Sequence, residues 1–349
     1  MLCATRDALA KQAAAIAGFL TPHISNPNTR IILTGAGTSA YIGECLAPIL
    51  NSRLPARVEA VATTDIVSAP RLYLEADTPT LLVSFGRSGN SPESIAAVDV
   101  ANRIVGELHH LIITCNADGA LARQSGPNSL TILLPEATHD RGFAMTSSFT
   151  SMTYAALAAL SGIEGTYAIA AATRAVIEAQ AAPTKALAEV GFDRVVYLGS
   201  GIFKGLAREA ALKLMELTDG KTVTAFDSPL GFRHGPKTIV TARTLIMVFV
   251  SNDPLTRAYD LDLLSELRRD GKAGRIIALS AQGDCGDAIT VPSLADASDD
   301  NLLFPFIVVP QMFAFFASLA AGLTPDNPNT TGTVSRVVQG VRIHTLADA

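Results

Sequence analysis

Three residues between Lys204 and Leu217 have the types and spacing for proton chemistry. Glu209, Lys213 and Glu216 stand at i, i+4 and i+7, which on a helix places them on one face within about 60° of arc. Leu206 and Leu217 flank that stripe on one side and Leu212 on the other. An exposed Glu–Lys pair is the commoner use of such spacing. Here the rest of the segment is mostly apolar, so the stripe is expected to be walled in. A carboxylate held by apolar neighbours and a lysine suits proton transfer. Shortly after comes Ser228-Pro-Leu-Gly-Phe-Arg-His234-Gly-Pro-Lys237. A histidine on a loop held by glycine and proline can sit rigidly and still meet a ligand. Its place between the acidic segment and the next apolar run favours function over a merely solvated ring. His109, His110 and His139 have no such setting and read as structural.

A second group of residues is suited to an anion. Gly35-Ala-Gly37-Thr38-Ser39-Ala40 follows one apolar run, and Ser84-Phe-Gly-Arg87-Ser88-Gly89-Asn90-Ser91 follows another and leads into Pro92-Glu93, a helix start. Thr146-Ser147-Ser148 opens a further helix. Glycines let the backbone approach an anion, while hydroxyls and helix N-terminal amides donate hydrogen bonds to it. Capping and turn chemistry explains any one of these loops; three together point to a phosphate cradle made from Gly37, Thr38, Ser39, Ser84, Arg87, Ser88, Asn90, Ser91 and Thr146. The main rival is a dinucleotide. Gly35 to Ala40 fits GxGxx(G/A), and Glu59 would serve as the ribose acid, but that leaves the loop from Ser84 to Ser91 unexplained. No GK(S/T) follows either glycine loop, so a P-loop is excluded.

The elements that must position these groups are written twice. Arg30-Ile-Ile-Leu-Thr-Gly35 matches Arg194-Val-Val-Tyr-Leu-Gly199, Thr80 to Phe85 matches Thr244 to Phe249, and Ile112-Ile-Thr114 matches Ile276-Ile-Ala278, all at an offset of 164 residues. A fourth pair, Leu133-Leu-Pro135 and Thr290-Val-Pro292, follows at 157. Short runs of Val, Ile and Leu suit strands buried on both faces, and helix-length stretches such as 94–105 and 256–269 separate them. The fold class is therefore α/β: two tandem domains, each a parallel sheet with helices on both faces, a three-layer αβα arrangement. The expected boundaries are an N-terminal helix at 1–29, domains at 30–165 and 194–323, an alanine-rich joining helix at 166–193, and a tail at 324–349. Leu302 to Leu323 carries no charge and is long enough for a bilayer. Pro305, Pro310 and Gln311 interrupt it, so a strand end followed by a buried helix is the expectation, with no membrane span.

Composition sets the remaining bounds. Of 349 residues, 48% are apolar and 17% charged, which excludes disorder and implies large cores. A net charge of −5 offers no general attraction to nucleic acid or anionic lipid. Cys3, Cys45, Cys115 and Cys285 are too scattered for a disulfide framework or a zinc site. The first 20 residues lack the apolar core of a signal peptide, so a cytoplasmic location is expected.

Taken together, these residues resemble the sugar isomerase (SIS) family of phosphosugar-handling domains, over nearly the whole chain. The loops at 37–39 and 88–91, with Thr146, are similar to that family's phosphate-binding contacts. The Glu-x3-Lys-x2-Glu helix and the His-Gly-Pro loop resemble the isomerase domain of glucosamine-6-phosphate synthase. That resemblance implies that Glu216 moves the proton between C1 and C2, that His234 opens the sugar ring, and that Glu209 and Lys213 hold the open-chain sugar and tune Glu216. It also implies a homo-oligomer in which the histidine reaches the site of the neighbouring subunit, with no metal or cofactor. Arg336 stands where the synthase has an active-site lysine; arginine forms no Schiff base but binds anions. Ser88-Gly-Asn-Ser-Pro-Glu93, His139-Asp-Arg-Gly142, Asp326-Asn-Pro and Arg336-Val-Val-Gln-Gly340 resemble a narrower branch, the bacterial galactosamine-6-phosphate deaminase/isomerases. The resemblance then implies a hexosamine 6-phosphate substrate converted to tagatose 6-phosphate and ammonia. The 29 residues before the first strand hold no ammonia-generating domain, so deamination is the expected direction. A plain aldose–ketose isomerase, a non-catalytic sugar-phosphate sensor and a nicotinamide-dependent dehydrogenase are the alternatives.

Overall fold

The computed structural model describes residues 1–344 apart from Ser125, Asp287 and Gln339; the end of the tail and one residue of its Arg336–Gly340 phrase thus lie outside the described residues. The chain forms two compact units, one of residues 1–141, 145–164 and 331 onward, the other of 142–144 and 165–330. The first contains α1 (Leu2–Ala10), α2 (Ala13–Ile24), β1 (Arg30–Thr34), α3 (Thr38–Arg53), β2 (Arg57–Ala60), α4 (Thr63–Ser68), α5 (Pro70–Tyr73), β3 (Thr80–Gly86), α6 (Pro92–Ile104), β4 (Leu108–Thr114), β5 (Ser129–Leu133) and α7 (Ser147–Leu160). The second contains α8 (Thr166–Glu189), β6 (Arg194–Gly199), α9 (Ile202–Leu217), β7 (Val223–Asp227), α10 (Pro229–Phe232), β8 (Thr244–Phe249), α11 (Pro254–Asp270), β9 (Arg275–Ser280), β10 (Ala288–Thr290) and α12 (Asp299–Ala320).

Each unit is built on a five-stranded parallel sheet, and the two strand orders are equivalent: β2-β1-β3-β4-β5 and β7-β6-β8-β9-β10. The repeat seen in the sequence is a repeat of register. Arg30 pairs with Thr80 in one sheet and Arg194 with Thr244 in the other. Strands β1, β3 and β8 are buried along their whole length, as the continuous apolar runs require when both sheet faces are covered. On one face of the first sheet Ile32, Leu82 and Ile112 pack against Ala97, Val98 and Ala101 of α6; α3 and α7 pack against its strands as well. In the second sheet Val196, Ile246 and Val248 pack against Leu263 and Leu264 of α11.

Three local features differ from the sequence reading. Residues 1–29 hold two helices, with the chain turning between Ala10 and Ala13. The edge strands β2 and β7 carry no apolar run and were not foreseen. The segment from Leu302 has no strand end: α12 is one continuous helix with Pro305 and Pro310 inside it. It is long and apolar enough to cross a membrane, yet two thirds of its most apolar window is buried, against α8 and α9. Phe306 of α12 meets Phe203 of α9 at a centroid distance of 5.2 Å and Phe249 of β8 at 5.9 Å, so aromatic packing anchors it in the unit's core.

Candidate active site

The acid–base stripe is set by how α9 leaves β6. Gly201 has φ +55°, and a side chain at Gly199 would stand 2.6 Å from Phe203, so only glycine allows this tight strand-to-helix turn. The helix then buries the face that carries the stripe. Glu209 and Lys213 are enclosed, while the Glu216 side chain retains 24% exposure. The Lys213 ammonium ion-pairs with the Glu216 carboxylate and lies 3.7 Å from Glu209 Oε1. One buried ammonium thus serves two carboxylates, and only Glu216 reaches the surface where a substrate can meet it.

His234 sits in the turn after α10 with its ring exposed. The turn is rigidly held: Ser228 Oγ accepts the Gly231 amide at 3.1 Å, Arg233 pairs with Glu266 at 2.8 Å, and Lys237 pairs with Glu266 and, at 2.5 Å, with Asp270. Gly235 has φ +128°, a conformation that favours glycine. Among the described residues the His234 ring hydrogen-bonds to none, and no hydrogen bond or ion pair joins it to the stripe on α9.

The anion loops lie in the first unit. Gly37 has φ +56° and caps α3, with Thr38 and Ser39 buried in its first turn. A side chain on Gly35 would stand 2.6 Å from the Ser39 backbone, so strand and helix meet closely here. Arg87, nearly buried, follows the end of β3. The loop after it folds on Gly89 (φ +65°), with the Ser88 carbonyl accepting Asn116 Nδ2 at 2.8 Å. Two of the expected ligands make hydrogen bonds within the protein and a third is enclosed with no partner among the described residues. Asn90 Oδ1 accepts the Ala120 amide at 2.9 Å, Ser91 Oγ donates to Glu93 at 2.8 Å beside the start of α6, and Ser84 lies inside β3 with its hydroxyl enclosed. The rival ribose acid is also engaged, since Glu59 pairs with Arg30 and Arg57.

Thr146 does open α7, but its donors already have an anion. The Asp140 carboxylate accepts the amides of Thr146, Ser147 and Ser148 at 2.9 to 3.0 Å and both adjoining hydroxyls. Burial pushes the Asp140 carboxyl up, and the hydrogen bonds from Ser148, Thr146 and Ser147 more than offset it, holding it below the usual range. The Asp140 carbonyl accepts from the Arg336 guanidinium, and the Arg336 carbonyl accepts from Arg87 at 2.9 Å. A cleft of about 760 Å³ opens here, lined by Glu136, His139, Asp140, Arg141, Ser147 and Arg336. His139, read as structural from the sequence, therefore stands in the cleft. Burial and the positive charges of Arg336 and Arg87 lower its pKa, against smaller raising effects of Asp140 and Glu136. The arginine at 336 and the phrase beginning at His139 were visible in the sequence; their meeting was not.

In the second unit the equivalent loops are closed by the protein's own carboxylates. Asp260 accepts from Ser200 Oγ at 2.7 Å and from the Ser251 amide at 3.0 Å, and Asp299 accepts from the Asn252 amide at 2.8 Å. Burial pushes the Asp260 carboxyl up to about 6. Among the described residues no cluster of three or more His, Cys, Asp or Glu side chains is arranged to hold a metal.

A SIS domain model matches residues 23–162. The D-galactosamine-6-phosphate deaminase AgaS of Escherichia coli is 48% identical over 341 residues, spanning 95% of this chain and 89% of that protein. The protein of the same name from a Shewanella species is 46% identical over 335 residues, spanning 94% and 85%. The crystal structure of tagatose-6-phosphate ketose/aldose isomerase from Escherichia coli superposes with a TM-score of 0.91 at 44% identity, covering 99% of this chain and 94% of that one. Likeness of this extent, in sequence and in backbone, shows that the chain belongs to the AgaS family of SIS-domain proteins.

Proposed function

We propose that the protein converts galactosamine 6-phosphate to tagatose 6-phosphate and ammonia by acid–base chemistry at C1 and C2. The observation that carries this reading is the α9 stripe: an enclosed lysine that keeps one surface-reaching carboxylate, Glu216, in place for proton transfer. A sensor of sugar phosphates needs the anion loops but no such group. The similarity to deaminases of that name supports the choice of substrate.

Gly37 to Ser39 and the loop from Arg87 to Ser91 hold the 6-phosphate, the first through the amides and hydroxyls that open α3 and the second through Arg87 and Ser88. His234 protonates the ring oxygen and opens the sugar; its exposed ring on a pinned turn fits a group that serves the neighbouring copy in a homo-oligomer. Glu216 takes the C2 proton, giving an enolamine, and returns it to C1, giving an imine at C2. Water adds to the imine and ammonia leaves. Arg336 supplies positive charge for an oxyanion or the phosphate. A cytoplasmic location fits four free thiols.

The test is ammonia release from galactosamine 6-phosphate, with glucosamine 6-phosphate alongside, by the wild type and by Glu216→Gln. Release from the galacto sugar, lost by about a thousandfold or more in the variant while the sugar phosphate still binds, is the expected result. Interconversion of tagatose 6-phosphate with its aldose and no ammonia would make the protein a plain isomerase. Binding without either reaction would make it a sensor.

A further inference from the structure

The motif from His139 to Gly142 is not used by the steps above, and the structure gives it a setting. His139 lines the cleft beside Ser147 and Arg336. Its neighbour Asp140 turns its carboxylate into the start of α7, where five donors occupy it, so that carboxylate is not spent on the imidazole. Among the described residues no group hydrogen-bonds to the His139 ring. Arg336 and Arg87 are tied to each other and, through the Asp140 carbonyl, to the same short segment. Arg87 belongs to the loop assigned to the phosphate and donates to the carbonyl of Arg336, whose residue also lines this cleft, so the phosphate loop and the His139 cleft are joined through Arg336.

We infer that His139 is the acid–base group of the hydrolytic half of the reaction, the group that activates water against the C2 imine and protonates the departing nitrogen. The inference rests on the deaminase reading above. Isomerisation needs one group that shuttles a proton between two carbons, and Glu216 supplies it. Deamination adds two further proton movements. As the water oxygen bonds to C2 of the protonated imine, His139 takes a proton from that water, giving a carbinolamine and an imidazolium. The imidazolium then gives a proton to the amino nitrogen. The C2–N bond breaks with its electron pair going to nitrogen, ammonia leaves, and the C2 hydroxyl loses its proton to solvent to become the ketone.

The surroundings suit both movements. Burial and then the positive charges of Arg336 and Arg87 disfavour the charged ring, against smaller effects of Asp140 and Glu136, which favours a neutral imidazole when water must be deprotonated and ready release of the proton once it is charged.

The experiment follows two signals in one incubation in deuterated water: loss of the C2 proton resonance of galactosamine 6-phosphate, and ammonia. Wild type is expected to show both, and Glu216→Gln neither. His139→Gln is expected to keep C2 exchange within about threefold while ammonia release falls about a hundredfold or more. In His139→Ala, added imidazole is expected to restore ammonia release, which a merely structural role would not allow. Equal loss of exchange and ammonia in His139→Gln with no rescue, or ammonia release kept within about threefold, would overturn the assignment. A wild type that shows neither signal would instead overturn the deaminase reading itself, and this inference with it.

Discussion

Replacing Lys213 with methionine isolates the charge arithmetic of the stripe. Methionine keeps most of the stem's packing and removes only the ammonium. The enclosed Glu209 and the partly exposed Glu216 would then both lose the Lys213 ammonium. Breaking a buried ion pair by deleting one partner costs about 3–5 kcal/mol; water at Glu216 screens part of this, so we take about 3 kcal/mol. For a unit of about 170 residues, unfolding entropy is about 0.35 kcal/mol/K, and the loss corresponds to a fall of about 8 °C in Tm. Glu209→Gln acts differently, because it leaves Lys213 and Glu216 as a matched pair; its cost should stay near 1 kcal/mol. In the double variant Glu209→Gln, Lys213→Met the remaining carboxylate is the one that reaches water, so much of the single Lys213→Met loss should be recovered. Thermal and urea unfolding of the three variants at neutral pH reads this order directly. If Lys213→Met is no more destabilising than Glu209→Gln, Lys213 does not compensate a buried charge and the account of the stripe is wrong.

Three further outcomes follow from the first unit. Gly35→Ala would place a carbon 2.6 Å from the Ser39 backbone, so competition by inorganic phosphate should weaken about tenfold or more with the circular dichroism spectrum retained; unchanged affinity would remove this loop from phosphate binding. Asp140→Asn should cost about 2–3 kcal/mol in urea unfolding at pH 7, since an amide offers one acceptor to donors that now share a carboxylate. The Asp140 carboxyl is depressed in the folded protein, so its contribution is full above its ordinary value of 3.8 and is lost as pH falls through the folded value; the gap between wild type and variant should close in acid, and a gap independent of pH would contradict this. His23 is kept neutral by burial and by His109, whose ring lies 4.2 Å away, against a raising effect of Glu107. Stability from this contact is full above 6.5 and falls with pH as the unfolded chain binds the proton first, so His23→Leu should flatten the acid limb of a Tm–pH profile, and an unaltered limb would refute it.

The parts of this protein that can be read from sequence are those with a short-range signature. The six repeated strands inside the two sheets announce themselves because a strand buried on both faces must be apolar throughout. The edge strands Arg57–Ala60 and Val223–Asp227 do not, since half-exposed residues satisfy an edge equally well. The stripe on α9 is visible because i, i+4 and i+7 are adjacent on any helix. Ser84 lies inside β3 and not in the loop after it, which sequence does not settle, because a serine near the end of a strand and one in the loop beyond it look alike. The Asn90 contact with the Ala120 amide is not legible in sequence, because a side chain that pins a turn and one that meets a ligand are the same residue type. The setting of His139 was out of reach: it depends on Arg336, nearly 200 residues later in the chain, returning to the Asp140 carbonyl.

The long apolar helix α12 has a consequence for how the chain is made. A nascent chain emerges N-terminus first and folds in that order. Helices α8 and α9, which seat α12, are therefore synthesised before it. A segment greasy enough to attract a bilayer or another copy of itself thus reaches a place already prepared for it, and its time unprotected is set by docking alone. A circular permutant beginning at Asp299 would reverse that order, releasing α12 with nothing to cover it, and its yield in the soluble fraction should suffer even though every contact of the finished fold is the same.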